Sequence, residues 1–266
     1  MRSQLNAGQL DAFNQIMQSV NEPSAGGRQF FLDGPGGTGK TFFHNTLINT
    51  LVGQGKTVIV VASTGIAATL LLNATTFHLR FKLYPPITDT TVSKIYVGSF
   101  EAKLIRQASL IIWDEATMTS CHALNAAERL FRDIMGKPGQ PNISPFGGKV
   151  LVMSGDFRQC LPVVRHGNQV HIVEATIKSC PTWPNFRQLR LAQNMRTDAG
   201  SQEFADWLIQ LGDGTLPTVH PTSPTDCNFV ELPGYFLIES DGNGLMEHVF
   251  GGGLSSLHPE NEETTT

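Results

Sequence analysis

The sequence predicts an α/β fold: a parallel sheet with helices on both faces, followed by an irregular C-terminal tail. Three observations carry that expectation. Short β-branched and aromatic runs of strand length alternate with segments whose apolar residues recur at three and four positions, as crossover units between parallel strands require. A glycine-rich turn, Gly34 to Gly39, separates the first such run from the helical segment that follows. Near residue 215 the alternation gives way to Gly, Pro, Ser and Thr.

The elements follow in order. Leu10, Phe13, Ile16, Met17 and Val20 share one face of a helix over Leu5 to Val20, with Asn6 as its N-cap. Gln29 to Leu32 reads as a buried strand running into the glycine turn, and a helix follows to about Leu51. Thr57 to Val61 is a second strand, Gly65 to Leu72 a helix, and Phe77 to Tyr84 an aromatic and basic stretch closed by Pro85-Pro86. A helix over Phe100 to Gln107 leads to a strand at Leu110 to Trp113 and a helix over Ala123 to Met135. Pro138 to Gly148 is a loop before a strand at Lys149 to Met153, and a fifth strand spans Phe186 to Leu191. Phe204 to Leu211 forms a last helix, ended by Gly212-Asp213-Gly214, and Glu260 to Thr266 is expected to be disordered. The expected division is a domain over 1–215 and an acidic tail over 216–266.

Composition narrows the class. With 266 residues, 40% hydrophobic, 16% charged and 16 Phe, the chain is too apolar for disorder. No apolar run approaches the roughly 18 residues that a membrane span needs, and Met1-Arg2-Ser3-Gln4 enters polar sequence without a secretory pattern. Cys121, Cys160, Cys180 and Cys227 show no close spacing, so free thiols in a reducing compartment are expected. All 19 basic residues fall at or before Arg196, against 11 acids there, a net +8; the remaining 12 acids give the last 70 residues −12. The basic part suits a polyanionic partner, although ordinary surface charge explains it as well.

Three motifs carry chemistry. Gly34-x4-Gly39-Lys40-Thr41 is a phosphate-binding loop: glycines let successive backbone N–H groups curl around phosphates, and the following helix adds its positive dipole end. Gly34, Pro35, Gly36, Gly37, Thr38 and Gly39 form the cradle. Lys40 neutralises the β and γ phosphates, and Thr41 offers its hydroxyl to Mg²⁺. The strand Leu110 to Trp113, read as a neighbour of the loop's strand, delivers Asp114 for the metal and Glu115 as the base that activates water. Gln159, after the strand at Lys149 to Met153, either bonds γ phosphate and attacking water or belongs to a capped turn. Arg196 either stabilises charge on a transferring phosphoryl group or pairs with a surface acid. Phe77, His78, Arg80, Phe81 and Lys82 make either a base-stacking, phosphate-holding platform or part of a core.

Taken in order, Leu5-Asn6-x-x-Gln9, Gly34 to Thr41, Ala62 to Ala68, Thr76-Phe77-His78, Trp113 to Ala116, Gly155 to Gln159 with Leu161-Pro162, and Asn194 to Arg196 resemble the Pif-type DNA helicases, the Helitron transposon branch included. The likeness covers residues 5 to 215. It implies the first, RecA-like motor lobe of a superfamily 1 P-loop NTPase that uses ATP and Mg²⁺ to move 5′ to 3′ along single-stranded DNA and unwind duplexes and junctions. DNA repair, recombination, telomere maintenance and a nuclear location follow by the same resemblance; an obligate protein partner does not. It further implies that Gln9 reads adenine, Gln159 senses the γ phosphate and Arg196 contacts phosphate. Thr64, His78 and Arg80 are assigned to DNA.

The resemblance also sets an expectation of incompleteness. Family members continue into a second motor lobe with a further arginine, whereas no Lys or Arg follows Arg196 here. A single lobe has nothing to close against, so weak ATP binding and little unwinding are expected of these 266 residues, read as a fragment. The alternatives are an inactive nucleotide- or DNA-binding relic, and a phosphate-loop switch or chaperone-type ATPase, which leaves Gly155 to Pro162 and Asn194 to Arg196 unexplained.

Overall fold

Asn6 starts the first helix, α1 (Ala7–Asn21), with a capping box: its side chain accepts from the Gln9 backbone while the Gln9 side chain accepts from the Asn6 N–H. In this computed structural model, residues 1–22, 27–137, 139–159, 161–195, 202–219 and 229–234 are described. Two compact units divide the chain, Met1–Asp213 and Gly214–Thr266. In the second, the described residues form one antiparallel pair, β7 (Thr218–Val219) with β8 (Phe229–Val230). The expected disorder of Glu260 to Thr266 lies outside the described residues.

The first unit is built on β1 (Gln29–Asp33), α2 (Lys40–Gly53), β2 (Thr57–Ala62), α3 (Gly65–Thr69), β3 (Thr75–Thr76), α4 (Phe77–Arg80), α5 (Phe100–Gln107), β4 (Ala108–Asp114), α6 (Cys121–Met135), β5 (Leu151–Gly155), α7 (Gln169–Ala175), β6 (Phe186–Arg190) and α8 (Gln202–Asp213). Six strands pair in parallel in the order β3-β2-β4-β5-β1-β6. Alternate strand residues point to opposite faces. Phe30, Leu32, Val60, Leu110, Ile112 and Val152 pack with α1 and α2; Phe31, Val61, Ile111, Trp113, Leu151 and Met153 pack with α5, α6 and the Phe77–Leu83 segment. Burial on both faces is why these strands read as continuous apolar runs rather than alternating ones.

The structure revises several sequence expectations. β4 does not adjoin β1, because β5 lies between them; proximity of Asp114 to the loop's strand therefore depends on what β5 presents. β5 begins two residues later than expected. Lys149 instead sends its ammonium back to the carbonyls of Arg106 and Ala108 at the end of α5, and burial followed by repulsion from Arg28 pushes its pKa down to about 8. α3 ends at Thr69, and β3 and α7 had no periodic signal because each spans less than about two turns or one pleat. Phe77 and Phe81 are core residues at 3% and 0% exposure, which removes them as a platform for bases. Cys121 and Cys180, free thiols, meet with sulfurs 2.8 Å apart across 59 residues of sequence. Among the described residues no helix is long and apolar enough to cross a membrane.

Phe131 on α6 is fully buried and stands edge-on to Phe81 and Phe146, with centroids at 5.1 and 6.2 Å. Phe131→Ala is expected to lower stability by about 3–5 kcal/mol in denaturant titration, the usual cost of emptying such a site. A loss under about 1 kcal/mol would mean that α6 does not anchor this face.

Candidate functional site

Loops from the carboxyl ends of β1, β4, β5 and β6 converge on one edge of the sheet. The turn after β1 bends through left-handed backbone at Gly37 (φ 88°) and Gly39 (φ 78°), a conformation that costs an L side chain roughly 1–2 kcal/mol. A side chain there would also displace the ends of neighbouring side chains. A Cβ at Gly37 would stand 2.6 Å from Asn194 Oδ1, and one at Gly39 2.7 Å from Gln9 Nε2. Lys40 opens α2 and folds its ammonium back over the turn, donating to Gly34 O at 2.5 Å and Pro35 O at 3.5 Å. Thr41 follows in the first turn of α2, half-buried.

Neighbouring segments clasp this turn. Buried Gln9 donates from Nε2 to Thr38 O at 3.0 Å, so the capping residue of α1 is also a brace for the loop. Thr38 Oγ1 donates to Pro35 O at 2.8 Å, and Met195 N to Gly37 O at 2.8 Å. Gly36 faces Gln159, whose Nε2 lies 3.6 Å from where a Cβ would be. Gln159 itself donates to Asp156 Oδ2 at 3.2 Å. Arg196 lies outside the described residues. A cavity of about 560 Å³ opens beside the turn, between Gly36, Gln159 and Asn194 on one side and Leu208 of α8 on the other.

Asp114 ends β4, 5% exposed, and its Oδ1 accepts from Ser154 Oγ at 2.6 Å. Ser154 also meets His44 Nε2 at 2.7 Å, and His44 Nε2 lies 3.8 Å from Asp114 Oδ1. Burial pushes the His44 pKa down against the pull of Asp114. Glu115 takes a left-handed conformation (φ 51°). Burial, then repulsion from Asp114, raises its carboxyl pKa above the ordinary value. A carboxylate of elevated basicity next to a buried partner acid is the arrangement expected of a proton acceptor.

Arg158 is the electrostatic tie of the region. Its guanidinium lies 2.6 Å from Asp213 Oδ1, 3.2 Å from Asp156 Oδ1 and 3.6 Å from Asp33 Oδ1. Burial opposes its charge, but bonds to Asp213 and Asp156 outweigh that and raise its pKa. Arg158 and Asp156 belong to a sequence motif that by itself gives them no role, and Ser154 and His44 lie outside every motif. A usable signal existed for His44: one turn after Lys40, it stands at helical spacing with the apolar Leu47, Ile48 and Leu51, which puts a titratable ring on the buried face of the helix.

A second cavity, about 720 Å³, lies beyond the ends of β2 and β4 and brings Thr64 and His78 together with His122, Arg165 and His171. Thr64 caps α3 by accepting from Ala67 N at 3.2 Å. His78 is half-buried, which lowers its pKa. Arg80 does not join them. It lines a separate cavity with Lys82 and Glu101, and the Lys82 ammonium is already bonded to Glu101 at 2.5 Å.

With this geometry in view, likenesses to known proteins take on meaning. The sequence pattern of a family described as PIF1-like helicase matches residues 4–222. The ATP-dependent DNA helicase PIF1 of Candida albicans is 30% identical over 201 residues, 72% of this chain and 21% of that protein. The crystal structure of Pif1 helicase from Candida albicans superposes with a TM-score of 0.63 at 27% identity, covering 80% of this chain and 45% of that one. Bacteroides Pif1 in complex with ADP-AlF3 and ssDNA gives 0.62 at 25% identity, covering 78% and 47%. The chain thus spans about a fifth of that curated relative and under half of the solved chains.

The Arg158 cluster should contribute to stability. Arg158→Ala leaves Asp33, Asp156 and Asp213 facing one another, and since the arginine is part-exposed the loss should be roughly 2 kcal/mol, below the roughly 3–5 of a buried ion pair. Melting curves of both proteins at pH 7 check this; a loss under about 0.5 kcal/mol, the worth of an ordinary surface pair, overturns it.

Proposed function

The chain belongs to the PIF1-like helicase family, and on that footing we propose that it supplies the first motor lobe of an ATP-dependent helicase moving 5′ to 3′ along single-stranded DNA and opening duplexes and junctions. The supporting observation is convergence: the 34–41 turn, the Asp114-Glu115 pair and Gln159 come from three strands and meet at one sheet edge. Neither the turn nor the acids alone would favour triphosphate hydrolysis.

Each residue then has a task. Backbone N–H groups of Gly34 to Gly39 receive phosphate oxygens, and Lys40 exchanges the Gly34 and Pro35 carbonyls for them, a trade of neutral acceptors for charged ones. The Gln9 amide spends one N–H on Thr38 and one lone pair on Asn6. One donor and one acceptor are left over, the complement of the N7 and N6 edge of adenine. Thr41 and Asp114 offer the hard oxygen donors that suit magnesium, and buried Asp114 is held by Ser154 rather than by a competing cation. Bound there, magnesium would neutralise charge on the nucleotide's phosphates. Glu115 takes the proton of the attacking water, Gln159 orients that water against the γ phosphate, and Arg196 offsets charge on the phosphoryl group.

DNA is assigned to the 720 Å³ cavity, where the Thr64 hydroxyl still has its proton to donate and Arg165 adds a cation. Phosphate contacts of this kind give salt-sensitive, sequence-tolerant binding. Nuclear DNA maintenance follows from the family resemblance.

The test is nucleotide binding and hydrolysis with and without single-stranded DNA. Lys40→Ala should weaken ATP binding about 10–100-fold, the worth of one charged contact. Glu115→Gln should keep binding and slow hydrolysis by about 10²–10⁴, the usual share of a general base. Equal turnover in wild type and both variants would sink the assignment.

A further inference from the structure

Asp114 reaches the site from β4, yet β5 separates β4 from the strand that carries the phosphate turn. What orients its carboxylate is a chain of two hydrogen bonds. Ser154 Oγ stands 2.6 Å from Asp114 Oδ1 and 2.7 Å from His44 Nε2, and His44 and Ser154 are both fully buried. The serine hydroxyl has one proton. A carboxylate only accepts, so that proton goes to Asp114, and His44 must carry its own proton on Nε2 to donate to Ser154. His44 Nδ1 is then bare, which agrees with its having no hydrogen-bond partner among the described residues. An orphaned ring nitrogen is a cost that an apolar side chain would avoid, so the imidazole is kept for the bond it makes.

Resting on the nucleotide reading above, we propose that His44 and Ser154 are positioning residues that lock Asp114 Oδ1 so that Oδ2 faces the magnesium of a bound nucleotide. The relay joins three elements. His44 lies one turn beyond Lys40 on α2, so the helix that carries the phosphate-binding ammonium also aims the carboxylate on β4 through the serine on β5. Magnesium tolerates little departure from octahedral geometry, and a carboxylate free to rotate meets that demand poorly. Hydrogen-bond partners one step behind a ligand typically change metal affinity about 10–100-fold when removed.

The experiment titrates magnesium into the 266-residue chain with a fluorescent ATP analogue. His44→Leu and Ser154→Ala should raise the half-saturating magnesium concentration about tenfold or more, while magnesium-free binding of the analogue changes by less than about twofold, a split that general loosening of the fold would not give. His44→Gln, whose amide nitrogen can stand in for Nε2, should recover to within about threefold. Long-range ¹⁵N NMR of the wild type should show Nε2–H and bare Nδ1. A folded His44→Leu with an unchanged midpoint, a His44→Gln no better than Leu, or an Nδ1–H tautomer overturns the proposal. Should His44→Leu fail to fold, the glutamine variant and the NMR spectrum decide. Lys40→Ala in parallel separates the failures: if it binds the analogue as wild type does, the nucleotide reading falls and this one with it, whereas a Lys40 effect with an unchanged His44→Leu midpoint overturns the relay alone.

Discussion

Hydrogen bonding of β1 on both edges is the constraint on which the rest depends. The strand is only five residues long, but it pairs in full register with β5 on one side and β6 on the other, and Phe30, Phe31 and Leu32 bury it above and below. Nothing at its carboxyl end can shift without breaking ladder bonds to two neighbours. The turn at residues 34–39 therefore starts from a fixed point, and Gly155 O and Asp33 O extend the pairing into the loops themselves. A phosphate cradle made of main chain needs such a base, because its donors are oriented only by the backbone that carries them.

Charge around that base is split between a cluster of acids tied by an arginine and an adjacent acid pair without one. Arg158 draws Asp33, Asp156 and Asp213 together to one side. Asp114 accepts from the neutral Ser154 hydroxyl, with the His44 imidazole one bond further back, and no Arg or Lys among the described residues pairs with its carboxylate. Glu115, beside it, gains basicity from burial and from the charge of Asp114. The two adjacent acids thus differ in environment, the condition under which one carboxylate serves a cation and the other serves a proton.

Aromatic residues divide between core and surface by a rule of the same kind. Phe77 and Phe81 pack tilted against Trp113 and close the α5–α6 face, while His78, between them in sequence, remains half-exposed at the rim of the larger cavity. A short helix, α4, makes this possible: neighbouring positions on one turn point in different directions, so a dense aromatic run can anchor a core and still present one polar ring.

Sequence alone determined the parallel α/β architecture, the phosphate turn and the identity of the residues offered at the strand ends, because those rest on local period and on glycines that only a tight main-chain turn requires. It also carried the family. Tertiary structure alone decided which strands are neighbours, and with that the Ser154 bridge from β5 to Asp114, the Gln9 brace on Thr38, the three acids gathered by Arg158, and the separation of Arg80 from Thr64 and His78. The physical reason is range. Backbone conformation is set by a few adjacent residues, whereas a hydrogen bond between side chains 110 positions apart, as between His44 and Ser154, exists only once strand order has been chosen by the burial of both faces of the sheet.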